Sequence, residues 1–228
     1  MRTVCITGSS RGLGYALIER FLSDTEFQVA AVTRNAGSFD GLSANGQGRL
    51  KVIEADICQP DGLQTVNDHL AKMPPLAVLI HNAGELLFKS FAEITANELR
   101  SVYEINVFAP FLLTQKLLPL MRAAHVINIS SVGGVQGSMK FGGLSAYSSS
   151  KAALNCLTEM WSEEFKDTDH VFNCLALGSV ETEMFKTAFP GVPASSSPSD
   201  MASYIVNFAQ EAPSVMRGKI ISLSRSNP

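Results

Sequence analysis

Tyr147 and Lys151 stand four positions apart near the start of a helix-patterned stretch, Ala146–Phe165, so their side chains share one helical face. A phenol beside an ammonium suits one kind of chemistry. When a hydride reaches a carbonyl carbon, the oxygen needs a proton; the reverse reaction removes one. A free tyrosine hydroxyl titrates at about pH 10, too high for an efficient acid/base near neutrality. A nearby ammonium favours the phenolate, and lowering the pKa by about three units requires roughly 4 kcal/mol of differential stabilisation. A lone Tyr-x-x-x-Lys marks many unrelated helix surfaces, so the pair gains meaning only from what precedes it.

Upstream, Thr7–Gly14 (TGSSRGLG) joins a strand-like run, Arg2–Thr7, to an amphipathic stretch, Leu13–Leu22. A dinucleotide site is built in that context. Glycines let the backbone turn sharply and approach a pyrophosphate, and the helix N-terminus offers it unpaired N–H groups. The candidate contacts are Gly8, Ser10, Arg11, Gly12, Leu13 and Gly14. The end of the second strand discriminates between nicotinamide cofactors. A carboxylate there would pair with the ribose hydroxyl of NAD, whereas an arginine accommodates the phosphate of NADP. The residues present are Thr33, Arg34 and Asn35, with no acid, and Arg11 adds a second guanidinium. NADP(H) is therefore expected in preference to NAD(H). Asp56 and Ile57, and then Asn82, Ala83 and Gly84, follow the third and fourth strands. Open α/β sheets bind ligands at those strand ends.

These residues need a scaffold, and the chain supplies repeating β-α units. Arg2–Thr7, Gln28–Thr33, Leu50–Glu54, Leu76–His81, His125–Ser130, Val171–Ala176 and Lys219–Leu223 read as strands. Leu76–His81 is apolar throughout, the mark of a strand covered on both faces. Helical period marks Leu13–Leu22, Gly62–Met73, Ala96–Arg122, Ala146–Phe165 and Asp200–Gln210. Pro110 sits inside the third of these and is expected to kink or split it. The pattern predicts an α/β fold: a Rossmann-type, doubly wound parallel sheet of about seven strands with helices on both faces, in three layers. No linker or repeat divides residues 1–228, so one domain is expected; Gly191–Ser199 reads as a mobile surface loop.

Composition fits such a core. Hydrophobic residues make up 46% of the chain and charged residues 17%, with a net charge of −3. That leaves no basic face for nucleic acid or anionic lipid. Cys5, Cys58, Cys156 and Cys174 are scattered without metal-ligand spacing, and read as buried small apolar residues in a reducing compartment. No signal-like segment opens the chain, and no apolar run nears the roughly 20 residues of a membrane span. The expectation is a soluble, cytoplasmic protein without metal, membrane or nucleic-acid partners.

Together these motifs resemble the short-chain dehydrogenase/reductase family over essentially the whole chain. Thr7, Gly8, Gly12 and Gly14 match its T-G-x-x-x-G-x-G, Asn82-Ala83-Gly84 its N-A-G, and Asn128-Ile129-Ser130-Ser131 the motif that ends in its active serine. The resemblance implies NADP(H)-dependent hydride transfer to or from a carbonyl or alcohol carbon. Tyr147 would be the acid/base, and Lys151, aided by the nicotinamide's own charge, would lower its pKa and hold the ribose. Ser131 would bind the substrate oxygen, with Ser130 one register away. Asn106 would hold a water that relays protons to Lys151. Asp56 would meet the adenine ring, while Gly178, Val180 and Thr182 would meet the nicotinamide end; Leu177 replaces the family's proline. A non-catalytic NADP(H)-binding sensor or scaffold is the alternative.

The substrate would be a small, mostly apolar compound facing Leu86–Phe88, Met139–Leu144 and Met184–Phe189, with Lys140 and Lys186 as polar exceptions. Met184 and Phe185 equally suit a short helix packed on the core. Ser195–Pro198 would form a lid. The resemblance also implies a homodimer or homotetramer through Ala96–Arg122 and the helix after Tyr147, using Phe108, Phe111, Leu112 and Trp161. Two departures stand out: a longer, glycine-rich segment between Ser131 and Tyr147, and a C-terminus ending SLSRSNP, which leaves tetramer contacts built on the last strand in doubt.

Overall fold

The computed structural model describes residues 1–39 and 48–225, so the last three residues of the C-terminal tail lie outside the described residues. Seven strands form one sheet: β1 (Thr3–Thr7), β2 (Gln28–Thr33), β3 (Leu50–Glu54), β4 (Leu76–His81), β5 (Met121–Ser131), β6 (Val171–Leu177) and β7 (Ile220–Leu223). Their order is β3-β2-β1-β4-β5-β6-β7, and every neighbouring pair is parallel. Parallel neighbours need crossovers, and the helices provide them: α1 (Gly12–Asp24), α2 (Pro60–Leu70), α3 (Ala96–Tyr103), α4 (Ala109–Leu117), α5 (Ser145–Glu164), α6 (Glu183–Ala188) and α7 (Pro198–Glu211). The predicted doubly wound, Rossmann-type sheet is therefore the observed one. The winding reverses between β1 and β4, which opens a crevice at their C-terminal ends.

Apolar strands explain why both faces are covered. β1, β4 and β6 are buried at every position. One face packs Leu17, Ile18 and Phe21 of α1 with Ile205, Val206 and Phe208 of α7. The other packs Val66 of α2, Leu113 and Leu117 of α4, and Trp161 of α5 against Phe172. Burying each such large side chain contributes about 1.5–3 kcal/mol.

Several boundaries differ from the sequence expectation. The helix expected for Ala96–Arg122 is divided, in line with the kink or split expected from Pro110. Proline has no N–H to donate and its ring crowds the preceding turn. The chain widens into a π turn at Glu104–Phe108 and restarts as α4, with Pro110 in its first turn. A 3-10 turn, Leu118–Leu120, then ends the helix, and Arg122 lies in β5, which begins four residues before the predicted His125. α2 runs Pro60–Leu70 rather than Gly62–Met73, because Pro60 is accommodated in its first turn.

Two burial expectations also change. Trp161 is only 6% exposed and packs on Phe111 and Phe172, so it is a core residue rather than an assembly surface. Phe108, Phe111 and Leu112 remain exposed. Cys5 and Cys174 are buried as expected, but Cys156 is exposed, since its position on α5 points away from the sheet.

Buried histidines tie the layers together. His125 on β5 donates from Nδ1 to the Ala209 carbonyl of α7 at 3.2 Å and accepts at Nε2 from Asn173 Nδ2 at 3.1 Å. That pattern requires the neutral ring, and burial pushes its pKa down to about 4. His81, bonded to Thr114 Oγ1 at 2.8 Å, is pushed down to about 3, chiefly by burial and then by Lys151. The unfolded chain takes up these protons near the ordinary value of 6.5, whereas the folded chain does not. Stability is therefore full above pH 6.5 and falls as pH drops toward about 4, by about 2 kcal/mol per histidine at pH 5. Melting curves at pH 7 and pH 5 should show a clear fall in Tm, smaller in His125→Gln; a Tm independent of pH over this range contradicts the assignment.

Candidate active site

The glycine loop is held by hydroxyls and one amide. Gly8 N and Ser9 Oγ donate to the Val32 carbonyl at 3.1 and 2.9 Å, which pins the loop to β2. Thr7 Oγ1 accepts from Asn82 N and Ala83 N, each at 3.1 Å. Asn82 Nδ2 donates back to the carbonyls of Thr7 and Gly8, at 3.0 and 2.9 Å. Asn82 thus locks the first turn to β4 across the crevice.

The glycines are required by close approach. Gly8 has φ +67°, and a Cβ there would lie 2.6 Å from the Ala83 Cα. A Cβ on Gly14 would lie 2.2 Å from the Gly8 carbonyl oxygen. α1 begins between them, at Gly12, with no side-chain cap and no acid in its first turn. An uncapped helix end at a switch-point crevice is what a pyrophosphate needs, so the residues present fit a dinucleotide. The side chains of Leu13 and Ile57 are buried in the core, which leaves their backbones to face a ligand. Ser10 is partly exposed.

At the expected adenosine end, acids stand beside the arginines. Arg34 is exposed, but Arg11 is paired with Glu183 at 2.7 Å. An acid is also nearby: Glu54, opposite Thr33 in the sheet, accepts from Ala36 N at 3.2 Å. Asn35 Oδ1 accepts from Gly37 N at 3.0 Å, and Asp56 Oδ1 from Cys58 N at 3.0 Å, so both shape their own turns.

α5 brings Tyr147 and Lys151 to the same end of the sheet. Lys151 is buried, and its Nζ donates to the Ile129 carbonyl at 2.9 Å. A Cβ on Gly84 would lie 2.9 Å from Asn106 Oδ1 and 3.4 Å from Lys151 Nζ, so N-A-G, the π turn and the lysine converge. Asn106 is buried. Its Oδ1 accepts from Glu85 N at 2.9 Å, and its Nδ2 donates to the Glu85 carbonyl at 2.9 Å and to Ser150 Oγ at 3.0 Å. Ser130 faces inward and donates to the Lys151 carbonyl at 3.2 Å, which leaves Ser131 as the serine beside Tyr147.

Burial acts on both members of the pair. Lys151 Nζ lies over the Tyr147 ring, 5.9 Å from its centroid. Tyr147 is partly exposed by surface, yet desolvation pushes its hydroxyl up to about 12, and hydrogen bonding to Ser131 opposes this only in part. Burial pushes Lys151 down to about 8. In the protein alone, the ammonium does not bring the phenol toward neutrality.

On the side expected to meet the nicotinamide, Gly178 N donates to the Leu223 carbonyl at 2.8 Å. Val180 is buried and bridges to Ser196. Thr182 caps α6 through Phe185 N at 3.2 Å. Ser195–Pro198, the expected lid, is tied to its neighbours: Ser195 N donates to Ser179 Oγ at 2.9 Å, Glu181 N to the Ser196 carbonyl at 2.9 Å, and Ser197 caps α7. Phe189 packs on Phe88 and Phe185, with ring centroids 5.3 and 5.2 Å apart. Both expected pocket lysines are engaged: Lys140 Nζ with the carbonyls of Gly133 and Val135, at 2.8 and 2.6 Å, and Lys186 with Glu181 at 2.9 Å. A cavity of about 320 Å³ between the glycine-rich segment and Ser148, Ser149 and Ala152 lies off the Tyr147–Lys151 face of α5.

Sequence reasoning missed Ser9, Glu85, Ser150 and Glu183. Ser150 had a signal, one position before Lys151 on a helix facing Asn106; Glu85 acts through its backbone and had none.

Comparison with known proteins agrees with this geometry. The family model described as short chain dehydrogenase matches residues 2–192, and the chain belongs to that family. The short chain dehydrogenase gsfK of Penicillium aethiopicum is 32% identical over 195 residues, covering 80% of this chain and 77% of that one. A short chain dehydrogenase from Burkholderia cenocepacia, solved in complex with NADP, superposes with a TM-score of 0.88 at 20% identity, over 98% and 96% of the two chains. A 3-ketoacyl-(acyl-carrier-protein) reductase from Brucella melitensis, complexed with NADH, gives 0.87 at 20% identity, over 97% and 96%. The protein is thus a member of an oxidoreductase family that binds nicotinamide cofactors.

Steric fit and backbone strain can be separated at two glycines. Gly14→Ala meets a carbonyl, whereas Gly137→Ala meets open space at φ +79°. Gly137→Ala should cost about 1 kcal/mol of strain. Gly14→Ala should lower Tm further and weaken nucleotide binding; equal effects of the two would refute the close approach.

Proposed function

We propose that this chain is a single-domain NADP(H)-dependent oxidoreductase that moves a hydride between nicotinamide and a carbonyl or alcohol carbon. The observation that carries the reading is the convergence of Asn106, Lys151 and Gly84, with Tyr147 and Ser131 alongside, beside an uncapped helix end. A bound nicotinamide supplies or accepts the hydride. Ser131 donates a hydrogen bond to the substrate oxygen and steadies its developing charge. Tyr147 gives that oxygen its proton during reduction and takes it back during oxidation. Lys151 stays ammonium at neutral pH, holds the ribose, and adds positive charge beside the phenol. Asn106 spends its amide on Glu85 and Ser150, and sits in a π turn whose backbone hydrogen bonding is loosened, which suits a water on the path to Lys151.

The substrate reading is a small, mostly apolar carbonyl compound. Phe88 and Phe185 both pack on Phe189, edge-on and tilted, in the segments expected to line the pocket, and Lys140 and Lys186 are already engaged. NADP(H) preference rests on this chain's own Arg11 and Arg34, because its structural neighbours hold either cofactor. Four thiols, including the exposed Cys156, suit the reducing cytoplasm.

A screen of carbonyl compounds followed by cofactor oxidation tests the reading. NADPH should exceed NADH in kcat/KM by about tenfold or more, and Tyr147→Phe should lose about 10²–10⁴-fold. Equal efficiency with NADH would overturn the cofactor preference, and full activity in Tyr147→Phe would overturn the chemistry in favour of a role in binding alone.

A further inference from the structure

Arg11 faces two claims. It stands in the glycine loop, where a cofactor phosphate would meet it, and its Nη1 donates to Glu183 Oε2 at 2.7 Å. The partner comes from the far side of the crevice, 172 positions later, in the first turn of α6. Three features fix Glu183 in place. Thr182 caps α6, which sets where the next residue points. The glycine loop and Thr182 lie close, since a Cβ on Gly12 would come within 3.2 Å of Thr182 Cγ2. The nearby Lys186 is held by Glu181 at 2.9 Å, so Glu183 is left to Arg11.

We propose that Glu183 is a specificity-determining residue that weakens recognition of the adenosine 2′-phosphate by competing for Arg11. This rests on the reading that Arg11 contacts that phosphate. The guanidinium carries one positive charge. While a carboxylate holds one of its nitrogens, part of its pull on a phosphate is cancelled, and the carboxylate repels the incoming dianion. A 2′-hydroxyl has no such charge, so NAD-type ligands are indifferent to Glu183. The acid therefore narrows the preference that Arg11 and Arg34 create. Both side chains are well exposed, at 71% and 66%, so water and salt limit the effect to the size of a surface pair.

Calorimetric binding of adenosine 2′,5′-bisphosphate and of 5′-AMP to the full chain tests this without turnover. Glu183→Gln should bind the bisphosphate about two- to fivefold tighter at low salt and 5′-AMP unchanged, with the difference shrinking as salt is raised. Arg11→Ala should weaken the bisphosphate, and Glu183→Gln should then add nothing. If Arg11→Ala weakens the bisphosphate but Glu183→Gln leaves it unchanged or weaker, competition is overturned while the phosphate reading stands. If Arg11→Ala has no effect on the bisphosphate, both fall.

Discussion

The structure around the crevice depends on one buried hydrogen bond, from the Lys151 ammonium to the Ile129 carbonyl at 2.9 Å. A buried charge is costly unless it is well bonded. Its surroundings explain much of the local sequence. α5 must lie close against the end of β5, so Ser130 turns inward to the Lys151 carbonyl. The chain leaving β5 must cross α5 at backbone distance: a Cβ on Gly134 would come within 2.7 Å of the Lys151 carbonyl carbon. That requirement accounts for glycine at the start of the segment between Ser131 and Tyr147. Asn106 closes the other side, tied to α5 through Ser150 and to the N-A-G turn through Glu85.

That same burial sets the state of the acid/base pair. Desolvation acts on both members, raising Tyr147 to about 12 and lowering Lys151 to about 8. Both shifts favour the neutral forms, so the protein alone holds a protonated phenol. On the proposed function, a cofactor's positive charge entering the crevice beside Tyr147 would favour the phenolate. That reading links the ionisation of Tyr147 to occupation of the site beside it.

Much of this was legible in the sequence. Strands β2, β3 and β4 fall at their predicted bounds because alternating or continuous apolar runs end at clear turn residues. The glycine loop and N-A-G were readable because close backbone contact admits no other residue types. The helix before β5 was expected too long at its C-terminal end, since Leu118–Leu120 forms a 3-10 turn and Arg122 belongs to β5, a switch that the apolar pattern running through both does not mark. The partner of Arg11 was invisible, since no local pattern links residues 172 positions apart. The burial of Tyr147 and Lys151 was not legible, because spacing shows that two groups are near, not how much water each has lost.

The central claim is that Tyr147 is held protonated by burial and released by occupation of the cofactor site. Ultraviolet difference titration, taken as the native chain minus Tyr147→Phe, isolates this one phenol from Tyr15, Tyr103 and Tyr204. Without cofactor, no Tyr147 phenolate should form below about pH 10; with NADP⁺ bound, its signal should move down by about two units or more. Superimposable titrations with and without NADP⁺ would contradict the account.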